Sequence, residues 1–155
     1  MSTLLQVALE SPDQPEVIAL IAELDAYQTT LYPPESVYAL DLAALKQANV
    51  RFAVARDAAG LALGCAAVVL HAAYGELKRM YVHPRGRGRG VAKALLQRLE
   101  AEAVQTGCRL LMLETGPLQA EALGLYARSG YERRGPFGDY PDDPFSVFMH
   151  KRISA

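Results

Sequence analysis

The chain carries no surplus of either charge. Sixteen basic and seventeen acidic residues leave a formal net charge of −1, which excludes a protein held to nucleic acid mainly through phosphate contacts. Cysteine is scarce: only Cys65 and Cys108 are present, and neither has a Cys or His at metal-ligand spacing. Both lie in apolar stretches, so buried, reduced thiols and a cytoplasmic setting are expected. No run reaches the roughly 18 continuous apolar residues of a membrane span. Met1–Glu10 lacks the basic start and apolar stretch of a signal peptide. Several catalytic signatures are missing too. No Gly-x-x-x-x-Gly-Lys-Ser/Thr loop occurs, and no Gly-x-Ser-x-Gly elbow supports a hydrolase triad.

What is present is a well-patterned α/β chain. At 155 residues and 51% hydrophobic composition it can bury a core as one domain spanning residues 1–155. Leu4 to Leu9 reads as a first strand. Pro15 suits the first turn of a helix running to about Thr30, which Tyr32-Pro33-Pro34-Glu35 breaks. Ser36 is placed to cap a second helix over Val37 to Gln47. Val50 to Arg56, Leu61 to His71 and Glu76 to Val82 follow as an antiparallel meander, turned at Asp57-Ala58-Ala59-Gly60. His83-Pro84 ends the third of these strands. From Val91 an apolar stripe through Ala92, Leu95, Leu96 and Leu99 marks a helix closed by Gly107. Leu110 to Thr115 is a buried strand and Ala120 to Ser129 a helix stopped by Gly130. Tyr131 onward and Phe145 to Lys151 form a closing pair of strands.

The segment Arg85-Gly86-Arg87-Gly88-Arg89-Gly90 lies between a strand and a helix, which is a physical recipe for holding phosphate. The first helical N–H groups lack partners and the helix dipole adds partial positive charge. Glycine lets backbone approach a ligand closely, and three arginines raise the local potential. A Gly-x-Gly-x-x-Gly fingerprint would need glycine at Val91 or Lys93, so a dinucleotide loop is excluded. A disordered arginine–glycine RNA tail does not fit so short a segment wedged between two elements.

Arg87-Gly88-Arg89-Gly90-Val91-Ala92 resembles the Arg/Gln-x-x-Gly-x-Gly/Ala signature of the Gcn5-related N-acetyltransferase (GNAT) superfamily. A register at Arg85, Gly88 and Gly90 also matches. Only the register at Arg87, Gly90 and Ala92 is followed by the usual basic residue and leucines, here Lys93-Ala94-Leu95-Leu96. Leu77 to Pro84 is similar to the family's fourth strand and Leu111 to Thr115 to its fifth. Ala122 to Tyr131 is similar to its late helix with a Leu-Tyr…Gly-Tyr ending. The resemblance spans roughly residues 4–152. Gln119 stands where the family often has Asn. Tyr32-Pro33-Pro34-Glu35-Ser36 and Pro136-Phe137-Gly138-Asp139-Tyr140, leading to Asp143-Pro144, resemble a bacterial subgroup.

The resemblance implies a single-domain GNAT fold: a mixed, mostly antiparallel sheet splayed between strands four and five, with helices on both faces. It implies acetyl-CoA as cofactor. The pantetheine would lie along Met80, Tyr81 and Val82. The pyrophosphate would rest on the amides from Gly88 to Lys93 (Gly88, Arg89, Gly90, Val91, Ala92 and Lys93), with Arg87 and Gln119 as side-chain contacts. Acetylation needs a neutral amine, so a carboxylate must take its proton. Glu76 is the first candidate, at a register where some family members carry a catalytic glutamate. Period-two alternation puts it on one face with Met80 and Val82. Glu114 is the second candidate. Tyr126 matches the family's general acid for the leaving thiolate.

The acceptor would meet Tyr32, Glu35, Arg79, Glu114, Phe137 and Tyr140. Glu35, Asp139, Asp142 and Asp143 could form an acidic lip for a cationic amine. Arg79, Arg128, Arg133 and Arg134 could instead clamp a carboxylate. The expected partner is a small-molecule amine, with no nucleic acid or membrane partner, and homodimers are common in such families. A protein or peptide acceptor and a non-catalytic acyl-CoA-binding module are the alternatives. A closed pocket would favour a metabolite and a flat open groove a protein.

Overall fold

The computed structural model describes residues 4–38 and 41–154. Its centre is β3 (Ala62–Leu70), in which all but the last residue are buried. A strand covered on both faces reads as a continuous apolar run rather than an alternating one. Around it lie β1 (Gln6–Leu9), β2 (Val50–Arg56), β4 (Gly75–Val82), β5 (Leu110–Thr115), β6 (Glu132–Arg134) and β7 (Val147–Arg152). They form one seven-stranded sheet in the order β1-β2-β3-β4-β5-β7-β6. Neighbours are antiparallel except β4 and β5, which pair in parallel over Gly75–Leu77 and Leu111–Leu113. Beyond Leu77 the two strands part, giving the splayed mixed sheet that the motif order implied.

Helices cover both faces. Helix α1 (Pro15–Leu31) buries Val17, Leu20 and Leu24, and the first two join Phe52, Val54, Cys65 and Ala67 in one cluster. Helix α3 (Val91–Gln105) buries Val91, Leu95, Leu96, Leu99 and Ala103 against Ala53, Ala55, Leu63 and Val68 on the other face. Gly107, at φ +88°, takes the left-handed position that closes α3. Helix α4 (Ala120–Arg128) adds Tyr126 to the same side. Among the described residues no helix is long and apolar enough to cross a membrane.

The expected second helix is shorter than its pattern. Helix α2 is Leu42–Leu45 only, capped by Asp41, whose carboxylate accepts from the Ala44 amide at 2.8 Å. Ser36 does not cap it but ends a 3₁₀ turn over Pro34–Ser36, and Val37 is extended. Residues 39–40 of that expectation lie outside the described residues. The physical reason is tertiary: the Tyr38 hydroxyl donates to Asp143 at 2.8 Å, 105 residues away, and an extended chain makes that reach.

Candidate active site

Where β4 leaves β5, β4 also bulges. Lys78 pairs with Ala67 and Tyr81 with Cys65, so Arg79 and Met80 together face Ala66. Arg79 has φ +59°, alone among the described non-glycine residues in being positive. That conformation costs about 1–2 kcal/mol in a residue with a Cβ, and such strain collects at functional sites. The bulge inverts the strand's alternation. Leu77, Met80 and Val82 pack towards α3, while Tyr81 packs towards α1 and Glu76 meets Tyr140 on that opposite face. The shared face expected for Glu76, Met80 and Val82 is therefore incorrect.

After β4, Pro84–Gly86 forms a 3₁₀ turn in which the His83 ring accepts the Arg85 amide at 3.1 Å. Gly88 and Gly90 both take φ +75°, and Gly90 caps α3. The amides of Gly88, Gly90, Val91, Ala92 and Lys93 have no acceptor among the described residues. Arg89 differs from the expectation, because its amide donates inward to the Gly86 carbonyl at 3.3 Å. A Cβ at Gly88 or Gly90 would meet nothing within 4 Å, so the space beside these two glycines is open.

Between the parted strands lies a cleft lined by Glu76, Lys78, Arg79, Glu114, Tyr126 and Gln119, with aromatic walls. Tyr126 is only 6% exposed, and its hydroxyl has no hydrogen-bond partner among the described residues. Burial pushes its pKa up, so it keeps its proton at neutral pH. Glu114 accepts one side-chain hydrogen bond, from Ser146 Oγ at 2.9 Å. Desolvation, its largest influence, pushes its pKa up to about 7, with Glu76 and Asp143 adding to the rise. Glu76 is held differently. The Tyr140 hydroxyl donates to its carboxylate, and Lys78 Nζ lies 3.6 Å from that carboxylate while donating to Tyr140 at 2.8 Å. The Arg79 guanidinium pairs with Asp25 on α1 and with the Ile21 carbonyl at 3.5 Å.

The two loops flanking the cleft bind each other. Tyr38 and Ser36 hydrogen-bond Asp143, which also accepts the Phe145 amide. The Phe145 amide and these side chains hold the Asp143 carboxyl below the usual range. Tyr32 meets Phe145 edge-on with ring centres 6.0 Å apart, and Tyr38 meets Tyr140 at 5.2 Å. The Tyr32 hydroxyl donates to Gln119 at 3.3 Å and accepts the Leu118 amide at 3.2 Å. It fills the space that a side chain at residue 116 would need, which explains Gly116.

Tyr32, Glu76, Arg79, Met80, Glu114, Gln119, Tyr126 and Tyr140 line this cleft, whereas Tyr81, Val82, residues 87–93, Glu35 and Phe137 do not. Glu35 is exposed on the 3₁₀ turn. Phe137 is buried behind Tyr140 with Met112 and Phe148, so it supports the wall without lining it. Sequence reasoning missed Lys78 and Tyr38 as cleft residues. Lys78 was legible by period two from Glu76, before the bulge. Tyr38 was hidden by the helix expected over it.

The features fit an acyl-coenzyme A. Five free amides beside Arg87 and Lys93 suit a pyrophosphate, and the β4 edge beyond Leu77 is left unpaired by β5. The family model described as Acetyltransferase (GNAT) family matches residues 17–131. A protein of Azospirillum brasilense named IAA acetyltransferase is 47% identical over 149 residues, covering 95% of this chain and 97% of that one. A solved structure from Klebsiella pneumoniae, assigned as an acyl-CoA N-acyltransferase, has TM-score 0.83 and 40% identity over 97% of this chain and 98% of that one. The PaiA N-acetyltransferase of Thermoplasma acidophilum, solved with coenzyme A, shares the fold at TM-score 0.75 and 16% identity, over 97% and 99% of the two chains.

Proposed function

The chain belongs to the acetyltransferase (GNAT) family, and on that premise we propose that it acetylates the amine of a small molecule by direct attack, with Glu114 taking the amine's proton and Tyr126 donating one to the departing sulfur. Acetyl-CoA, the co-substrate, supplies an activated acyl carbon and a thiol leaving group. The free amides of Gly88 and Gly90 to Lys93 hold its pyrophosphate, and the β4 edge at Met80 to Val82 holds its pantetheine. Gln119, already engaged by Tyr32, is a side-chain contact on the same side.

Both carboxylates line the cleft, and their surroundings separate their roles. An alkylammonium has a pKa near about 10. Passing its proton to an ordinary carboxylate is uphill by about 6 pKa units, roughly 8 kcal/mol. Passing it to Glu114, raised to about 7, is uphill by about 3 units, roughly 4 kcal/mol. Glu76 is tied by Tyr140 and Lys78, and those contacts would have to break before it could reach an amine. In this reading Glu76 positions Tyr140 and Lys78. Tyr126 is protonated, faces the cleft and has no internal hydrogen bond to break before it donates.

A small acceptor is supported by the lip. Tyr38 to Asp143 and Tyr32 to Phe145 bridge the two loops over the cleft, which favours a small acceptor. The name of the Azospirillum brasilense relative points the same way. In this reading the Tyr32–Ser36 loop marks the bacterial subgroup and forms part of the acceptor wall. The single observation carrying the proposal is that Glu114 and Tyr126 line one cleft. The test is thiol release from acetyl-CoA over a broad amine panel. Glu114→Gln and Tyr126→Phe should each lower kcat by about 10²-fold or more, with coenzyme A affinity unchanged. Wild-type rates in both variants would sink the mechanism.

A further inference from the structure

The proposal above leaves open what else the acceptor carries besides its amine. The charges lining the cleft answer this when each is matched with its partner. Lys78 faces Glu76 at 3.6 Å and donates to Tyr140. Arg79 is paired with Asp25. Both cations of the cleft therefore have a carboxylate partner, Arg79 through Nη2, while its buried Nε has no partner among the described residues. Arg128, Arg133 and Arg134, the other arginines considered as carboxylate clamps, are exposed and line no part of it. Asp143 is satisfied by Tyr38, Ser36 and the Phe145 amide. That leaves Glu114, whose one side-chain hydrogen-bond partner among the described residues is the neutral Ser146 hydroxyl. Among the described residues lining the cleft, Glu114 is the one carboxylate without an ion-pair partner, Lys78 acting on it only at longer range, and each cation has a carboxylate partner.

The walls carry the second observation. The rings of Tyr32, Tyr38, Tyr140 and Phe145 line the cleft and stand edge-on to one another in two pairs, at 6.0 and 5.2 Å. At the mouth, Phe145 is 36% exposed and Leu118, beside Gln119, is 54% exposed. This apolar rim has no covering partner among the described residues.

Resting on the acetyl-transfer reading, we infer that the acceptor is an arylalkylamine: a primary amine on a short chain bearing a flat apolar ring, with no carboxylate next to the amine. The amine nitrogen must come within about 3 Å of Glu114 to give up its proton. A carboxylate on the neighbouring carbon would then sit about 6 Å from the Glu114 carboxylate. Two like charges at that distance, at an effective dielectric of about 20, disfavour binding by about 10²-fold. To pair with that carboxylate, Lys78 would have to leave Glu76, and the Arg79 head group would have to leave Asp25. The ring, meanwhile, replaces water against the four aromatic edges.

The experiment uses matched pairs: phenethylamine with phenylalanine, tyramine with tyrosine, tryptamine with tryptophan, and butylamine as a ring-free control. For each, kcat/KM is measured by thiol release and affinity by calorimetry on the coenzyme A-saturated chain. The arylalkylamines should exceed their amino acids by at least tenfold in both measures, and exceed butylamine. Equal or better use of the amino acids, or of butylamine, overturns this inference while leaving acetyl transfer standing. Selective binding of the arylalkylamines without transfer supports this inference and refutes the acetyl-transfer reading. Failure of every arylalkylamine to bind or react overturns it. Asp25→Asn releases Arg79 and should narrow the amine-to-amino-acid ratio several-fold at an unchanged arylalkylamine rate. An unmoved ratio refutes the paired-cation explanation.

Discussion

Glu114→Gln should stabilise the protein while disabling it. Glu114 is largely withdrawn from water, and desolvation raises its pKa from 4.5 to about 7. The folded state therefore holds this proton more tightly than the unfolded chain does. Stability from that preference is fully present below pH 4.5 and is lost as pH rises through about 7. The shift of about 2.5 units corresponds to roughly 3 kcal/mol, reduced to about 2 kcal/mol because the side chain is not fully dry. Glutamine is shaped like the protonated acid, can still accept from Ser146, and has no charge to desolvate. At about 2–4 °C per kcal/mol for a chain of this size, the variant should melt roughly 4–8 °C above wild type at pH 8. The two should melt together near pH 4.5. The assay is thermal unfolding without ligand from pH 4.5 to 8. A variant that melts with or below wild type at pH 8, or whose advantage is the same at every pH, would refute the desolvation argument and the assignment of Glu114 as base with it.

Other outcomes follow from the same geometry. The wild-type kcat/KM should rise with pH through about 7 as Glu114 loses its proton, and this limb should be missing from the residual activity of Glu114→Gln. Gly90→Ala places a Cβ on a residue at φ +75° facing the open cradle. It should cost about 1–2 kcal/mol of stability and weaken coenzyme A binding about tenfold by calorimetry. Tyr38→Phe removes the hydroxyl that ties the lip to Asp143. It should raise the acceptor KM several-fold at constant coenzyme A affinity, and an unchanged KM would show that the lip does not shape the acceptor site.

How much of this was legible depends on how far each signal reaches along the chain. The start of α3 was legible because Gly90 and the leucines after it act within one turn: a left-handed residue is needed at the cap, and the apolar stripe begins directly after it. The meander was legible because apolar runs and turn residues are local as well. Helix α2 was misjudged because residues 37–47 contain helix formers, and what overrides them is one hydrogen bond to a residue 105 positions away. The face of Glu76 was misjudged for a different reason. Arginine has no preference for positive φ, so nothing near Arg79 announces the bulge. It arises from the mismatch with Ala66 across the sheet. The charges show the same limit most clearly. The composition offers four arginines that might have gripped a carboxylate, and residue type cannot rank them. The fold sends Arg128, Arg133 and Arg134 to solvent, binds Arg79 to α1 and places Lys78 against Glu76. The selectivity of the cleft thus rests on which cations are already paired, a property of three-dimensional neighbours that no local pattern encodes.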